Sequence, residues 1–235
     1  MATTDGGYAH PELLVETEWL AEHLDDPSIR IVDCDVPDAY GRSHIPNAVA
    51  IPGHHYLKEV EGSPHLMGPE KFARTMATMG IGDDTTVISY CNRGGVYSSR
   101  FWWALNYYGH TNAKVLNGGW KKWFLEQRPL SNKTPKVDQR TFTPRVSREL
   151  IATADDVCQV IGDSSSVILD VRADDEYAGT NARGTKRGGR IPGAVHLEWV
   201  HYLTTDDYQT WLPANTLRER FEALGITRDK RVYTY

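Results

Sequence analysis

The sequence holds little that would mark a secreted, membrane-spanning or nucleic-acid-binding protein. Its 235 residues include only three cysteines, Cys34, Cys91 and Cys158. Their odd number, wide spacing and lack of any C-x-x-C pair exclude a disulfide framework and a thiolate zinc site, so reduced thiols are expected. No stretch approaches the roughly 18 apolar residues of a membrane span. The first twenty residues show neither a basic start followed by an apolar run nor a small-residue cleavage site, which predicts a cytoplasmic chain with no membrane partner. Charge of one sign is also scarce. Lys and Arg number 26 against 31 Asp and Glu, and a net charge of -5 leaves no field that would recruit nucleic acid. Nine histidines are present, but the closest pair, His54 and His55, has no acidic or thiol partner at ligand spacing, so no metal is expected.

The composition is ordinary for a globular protein, 40% hydrophobic and 24% charged, on a chain long enough for two small domains. The two halves carry a duplication. I31-V32-D33-C34-D35, Tyr40, H44-I45-P46-N47-A48-V49 and M79-G80-I81 through V87-I88-S89-Y90 occur in order in the first half. The second half answers with I168-L169-D170-V171-R172, Tyr177, R190-I191-P192-G193-A194-V195 and L224-G225-I226 through V232-Y233-T234-Y235. Tyr40 to Tyr177 is an offset of 137, Ile45 to Ile191 one of 146, and Tyr90 to Tyr235 one of 145. The copies therefore differ mainly by about nine extra residues near Thr180 to Gly189, a basic insert that reads as a solvated loop.

Each copy alternates short β-branched runs with helical stretches, the pattern of an α/β layered unit with a parallel sheet. Residues 29–32, 86–90, 166–169 and 231–233 read as strands buried on both faces. Thr17 is placed to cap a helix over 19–24. Pro69 opens one that ends at Gly80, and a helix over 216–224 stops at Gly225. After Tyr90 the first copy continues through a glycine loop, a helix over 98–108, a strand over 113–116 and a helix over 119–126. The second copy has no counterpart to these and is expected to be C-terminally truncated. The predicted division is a first domain over 1–132, a Lys-, Thr- and Pro-rich linker over 133–149, and a second domain over 150–235.

The segment Y90-C91-N92-R93-G94-G95-V96-Y97-S98-S99-R100 sets a cysteine where a buried strand ends and a helix begins. Ligand sites of open α/β sheets lie at the carboxyl ends of strands, and the free amides of a helix start bind anions. Gly94 and Gly95 let the backbone curl so that N–H groups point inward, and Arg93 adds a positive charge. These features together predict a thiol lowered toward the thiolate, which makes Cys91 the candidate nucleophile. Cys34 and Cys158, among apolar neighbours, read as small buried side chains.

These motifs, with N117-G118-G119-W120-K121-K122-W123, resemble the tandem-domain rhodaneses, the thiosulfate and 3-mercaptopyruvate sulfurtransferases. The resemblance runs through nearly the whole chain. It implies two rhodanese-like parallel-sheet units flanked by helices, the second incomplete, and a cysteine persulfide that carries a sulfane sulfur from a small anionic donor to a thiol or cyanide acceptor. A protein thiol would be one such acceptor, and no cofactor is required. Carried onto this sequence, Cys91 is the nucleophile and Arg93, Gly94, Gly95, Val96, Tyr97 and Arg100 bind the donor, with Asp33, Asp170 and Arg172 in support. The pattern departs from the family in three places. Tandem rhodaneses usually keep the catalytic cysteine in the second domain, no arginine closes the loop at Val96 or Tyr97, and Glu176 stands where some members carry a substrate-binding arginine. A phosphatase-like use of the loop would need an arginine at Tyr97, and a non-catalytic binding module is the remaining alternative.

Overall fold

The computed structural model describes residues 7–53, 57–58 and 66–235. His54 and His55 lie outside the described residues. The chain divides into two compact units, one of residues 1–148 with 205–210 and one of residues 149–204 with 211–235.

The first unit is built on a parallel sheet in the order β1-β5-β4-β2-β3. Its strands are β1 (Leu14–Val15), β2 (Ile29–Asp33), β3 (Val49–Ala50), β4 (Thr86–Tyr90) and β5 (Ala113–Leu116). Strands β2 and β4 lie at the centre, and four of the five residues in each are buried, as their β-branched runs predict. Side chains alternate between two apolar layers. Val32, Val87 and Cys91 join Phe72 and Met76 of α3 (Pro69–Thr78) and Phe101 and Leu105 of α4 (Val96–Tyr107). Ile31, Ile88 and Tyr90 join Leu20 of α1 (Thr17–Glu22) and Trp123 of α5 (Gly119–Leu125). A short α2 (Pro37–Arg42) follows β2.

Pro69 is the first residue of α3, where its missing N–H costs nothing, and Gly80 follows the helix with φ +68°. Thr17 does not cap α1. It is the first helical residue, and its hydroxyl is drawn away to Glu126 at 2.6 Å. Residues 133–147 have no helix or strand, yet they lie along the first unit as a strap. Phe142 is buried in the α3/α4 layer, Thr143 donates its amide to Asp83 at 2.7 Å, and Ser147 donates to the Tyr107 carbonyl at 2.8 Å.

The second unit repeats the arrangement on a smaller parallel sheet, β7-β6-β8, of β6 (Ser166–Asp170), β7 (Val195–His196) and β8 (Arg231–Thr234). Three helices accompany it: α6 (Ala154–Gln159), α7 (Asp174–Ala178) and α8 (Ala214–Ala223). Two expectations fail here. β8 is mostly exposed, with Val232 at 40%, because it forms the edge of this sheet. Cys158 is exposed because α6 buries none of its residues.

Candidate active site

The ends of β2 and β4 define the site. Asp33 and Tyr90 are register partners, and the Tyr90 hydroxyl donates to Asp33 Oδ2 at 2.7 Å while accepting the Ile45 amide at 3.1 Å. Both groups are buried, so this chain of hydrogen bonds satisfies polar atoms that would otherwise be costly to bury. Cys91 is the next residue. Its carbonyl accepts the Trp120 amide at 3.1 Å, and Gly119 is packed so closely that a Cβ there would lie 2.3 Å from that carbonyl oxygen. Gly119 and Gly95 both have positive φ, +52° and +87°, and Gly95 forms the left-handed entry to α4.

The Ser98 hydroxyl lies 3.8 Å from Cys91 Sγ, and the backbone amides of Ser98, Arg93 and Tyr97 favour its thiolate. Only 1% of Cys91 is exposed. Burial pushes its thiol up, the three amides pull it down, and Asp35 adds a further upward push, with the net direction above the ordinary thiol value. The lowered thiol predicted for this loop is therefore not the resting state. Dehydration outweighs the helix-start amides.

Of the predicted loop residues, Arg93 and Tyr97 act on the sulfur through their backbone rather than their side chains. The Arg93 guanidinium donates to the Tyr97 hydroxyl at 3.2 Å. Arg100, on the second turn of α4, holds its guanidinium 4.7 Å above the Trp103 ring. Gly94, with φ +50°, and Val96 shape the turn.

Two residues were missed by sequence reasoning. Ser98 lies seven residues past Cys91 and supplies both an amide and a hydroxyl, a role signalled only by its place in the first turn of α4. Asp35 accepts the Asn92 amide at 2.8 Å. Burial first and the neighbouring Asp33 second raise its carboxyl to about 6. Asp33, Asp35, Arg42, Ser43, Asn92 and Trp120 line a cleft of about 120 Å³ beside the loop.

In the second unit the same framework carries different side chains. Tyr235 accepts the Ile191 amide at 3.0 Å, as Tyr90 accepts that of Ile45, and the Tyr177 hydroxyl donates to the Ala194 carbonyl as Tyr40 does to that of Ala48. Asp170, the counterpart of Asp33, takes a two-pronged contact from Arg172, at 3.0 Å from Nε and 2.6 Å from Nη2. Glu176 is buried and faces Arg183 at 3.5 Å. Asp174, Glu198 and His201 bring their ligand atoms within 4.8 Å of one another, and of the three only Glu198 is even partly buried.

A family model, the rhodanese-like domain, matches residues 16–126 and 153–235. The chain belongs to the rhodanese family. Its tandem form is that of the family's sulfurtransferases. It is 34% identical over 97% of its length to the sulfur carrier protein TtuD of Thermus thermophilus, covering 84% of that protein. It is also 34% identical, over 83% of its length, to a putative thiosulfate sulfurtransferase, SseA, of Mycobacterium tuberculosis, covering 68% of it. Among solved structures, the 3-mercaptopyruvate sulfurtransferase SseA of Escherichia coli, a rhodanese fold, matches with a TM-score of 0.81 at 27% identity, over 94% of this chain and 87% of that one. Among the described residues, no helix of this rhodanese is long and apolar enough to cross a membrane.

Proposed function

We propose that this sulfurtransferase moves a sulfane sulfur from thiosulfate or 3-mercaptopyruvate to a thiol or cyanide through a persulfide on Cys91. The observation that carries this reading is the place of Cys91 between the end of β4 and the start of α4, its Sγ 3.8 Å from the Ser98 hydroxyl and its thiolate favoured by the amides of Ser98, Arg93 and Tyr97. Such donors suit a sulfur that becomes anionic twice, once as attacking thiolate and once as persulfide. The thiolate attacks the donor's outer sulfur. A Cys91 S–S bond forms while the donor's own bond to that sulfur breaks, releasing sulfite from thiosulfate or, from the mercapto acid, the enolate of pyruvate, which takes up the proton that the donor's thiol gives up. The acceptor then attacks the outer sulfur and regenerates the Cys91 thiolate.

Arg42 in the cleft and Arg93 beside Asp35 are the cations that would draw the anionic donor in, and Asp35 opposes them when ionised. Because the resting thiol is raised, turnover is expected to climb with pH beyond the ordinary thiol range. Thiocyanate formation from each donor with excess cyanide tests the assignment. Cys91→Ser should lose at least about a thousandfold in rate. A variant that keeps the wild-type rate would remove Cys91 from the reaction.

A further inference from the structure

Cys91 has a neighbour that its own chemistry does not use. β2 and β4 run in parallel register from Ile29–Thr86 to Asp33–Tyr90, and the ladder continues one step further through the Cys34 amide, which donates to the Tyr90 carbonyl at 2.9 Å. The next facing pair is Cys34 and Cys91. Successive side chains of a strand point to opposite faces. Asp33 and Tyr90 touch on one face, so Cys34 and Cys91 share the other, where both belong to the α3/α4 apolar layer. Both are free thiols, at 0% and 1% exposure. Neighbouring strands lie about 4.8 Å apart, inside the roughly 4.4–6.8 Å Cα separation that a disulfide requires.

We infer that Cys34 is an internal resolving thiol, which attacks the Cys91 persulfide and releases its outer sulfur as sulfide. This rests on the persulfide reading above. The Cys34 sulfur bonds to Cys91 Sγ, the Cys91 Sγ–S bond breaks, and the departing sulfur takes up the proton that Cys34 gave up and leaves as HS⁻. The sulfane sulfur is reduced by two electrons, and the two cysteines are oxidised to one disulfide. No other oxidant is needed. An external dithiol must reduce the pair before another round, so donor without acceptor or reductant gives one turnover and a locked chain. Nearness supplies the driving advantage, since the attack is intramolecular. Burial, and then the neighbouring Cys91, raises the Cys34 thiol, so the step accelerates as pH rises.

The test mixes the chain with thiosulfate, and separately with 3-mercaptopyruvate, without cyanide or added thiol acceptor, and follows sulfide release, intact mass and the peptide map. Wild type should release one sulfide per chain, end two hydrogens lighter and yield a linked Cys34–Cys91 peptide. Cys34→Ser and Cys34→Ala should stop one sulfur heavier and release at least about tenfold less sulfide. A wild-type chain that keeps the added sulfur, or Cys34 variants that release sulfide as wild type does, would overturn the inference. If neither donor loads any form, the persulfide reading has failed, and diamide oxidation decides the pairing separately. A linked Cys34–Cys91 peptide would uphold the paired thiols, and two thiols still free would refute them.

Discussion

Cys91 lies between opposing influences, the three amides that favour its thiolate and the burial and Asp35 charge that oppose it. Asp35→Asn keeps an acceptor for the Asn92 amide and removes the charge. The Cys91 thiol should then titrate lower, and iodoacetamide should alkylate it about three- to tenfold faster at neutral pH. The same variant has a signed effect on stability. Because folding raises the Asp35 carboxyl to about 6, its contribution is intact at acid pH and is lost as pH rises through that value. Asp35→Asn should therefore gain roughly 1 kcal/mol at pH 8, after allowance for partial solvation, and nothing near pH 4, as urea unfolding at the two pH values would show. Cys91 and its glycines stand out in the sequence as a candidate site because strand, cysteine and glycine are adjacent there. Asp35 was not, because its effect comes from across the sheet. Comparing the two repeats would have exposed it, since it occupies the position held by Arg172.

The elements around the site follow from short-range rules, and their failures follow from tertiary ones. β2, β4 and α3 were readable from β-branched runs, Pro69 and Gly80. The Thr17 cap was overridden by Glu126, and the buried reading of β8 by its edge position. The segment after residue 132 read as a linker because it lacks periodicity. Its buried Phe142 and the hydrogen bonds of Thr143 and Ser147 hold it to the first unit, and no local pattern signals that. Phe142→Ala should cost about 3 kcal/mol in the first unit's unfolding free energy, measured in urea, whereas a free linker would show no change. Gly119 joins α5 to the Cys91 turn through a contact that leaves no room for a methyl group. Gly119→Ala should lower stability by more than about 2 kcal/mol and alter Cys91 alkylation with it, because the Trp120–Cys91 bond must shift. A stable variant with normal alkylation would show that the turn does not depend on this contact.

One framework appears twice in the molecule with two electrostatic fillings. In the second unit the buried Asp170 is neutralised by Arg172, whereas in the first Asp33 faces a second acid and relies on the Tyr90 hydroxyl. Arg172→Ala should cost about 3 kcal/mol of stability by leaving Asp170 buried without its partner, and Asp170→Asn combined with it should recover part of that loss. The duplication and family were legible in sequence because repeated strand–Asp and I-P-x-A-V blocks recur in order. Which loop groups face the sulfur was not, because backbone amides carry no sequence signature. The proposed function stands on the passage of sulfur through Cys91. The decisive measurement is the intact mass of Cys34→Ala after brief treatment with thiosulfate and, separately, with 3-mercaptopyruvate. The expected result is a gain of one sulfur that cyanide removes and that is absent when Cys91 is also changed to Ser. A gain that survives the loss of Cys91, or no gain with either donor, would contradict it.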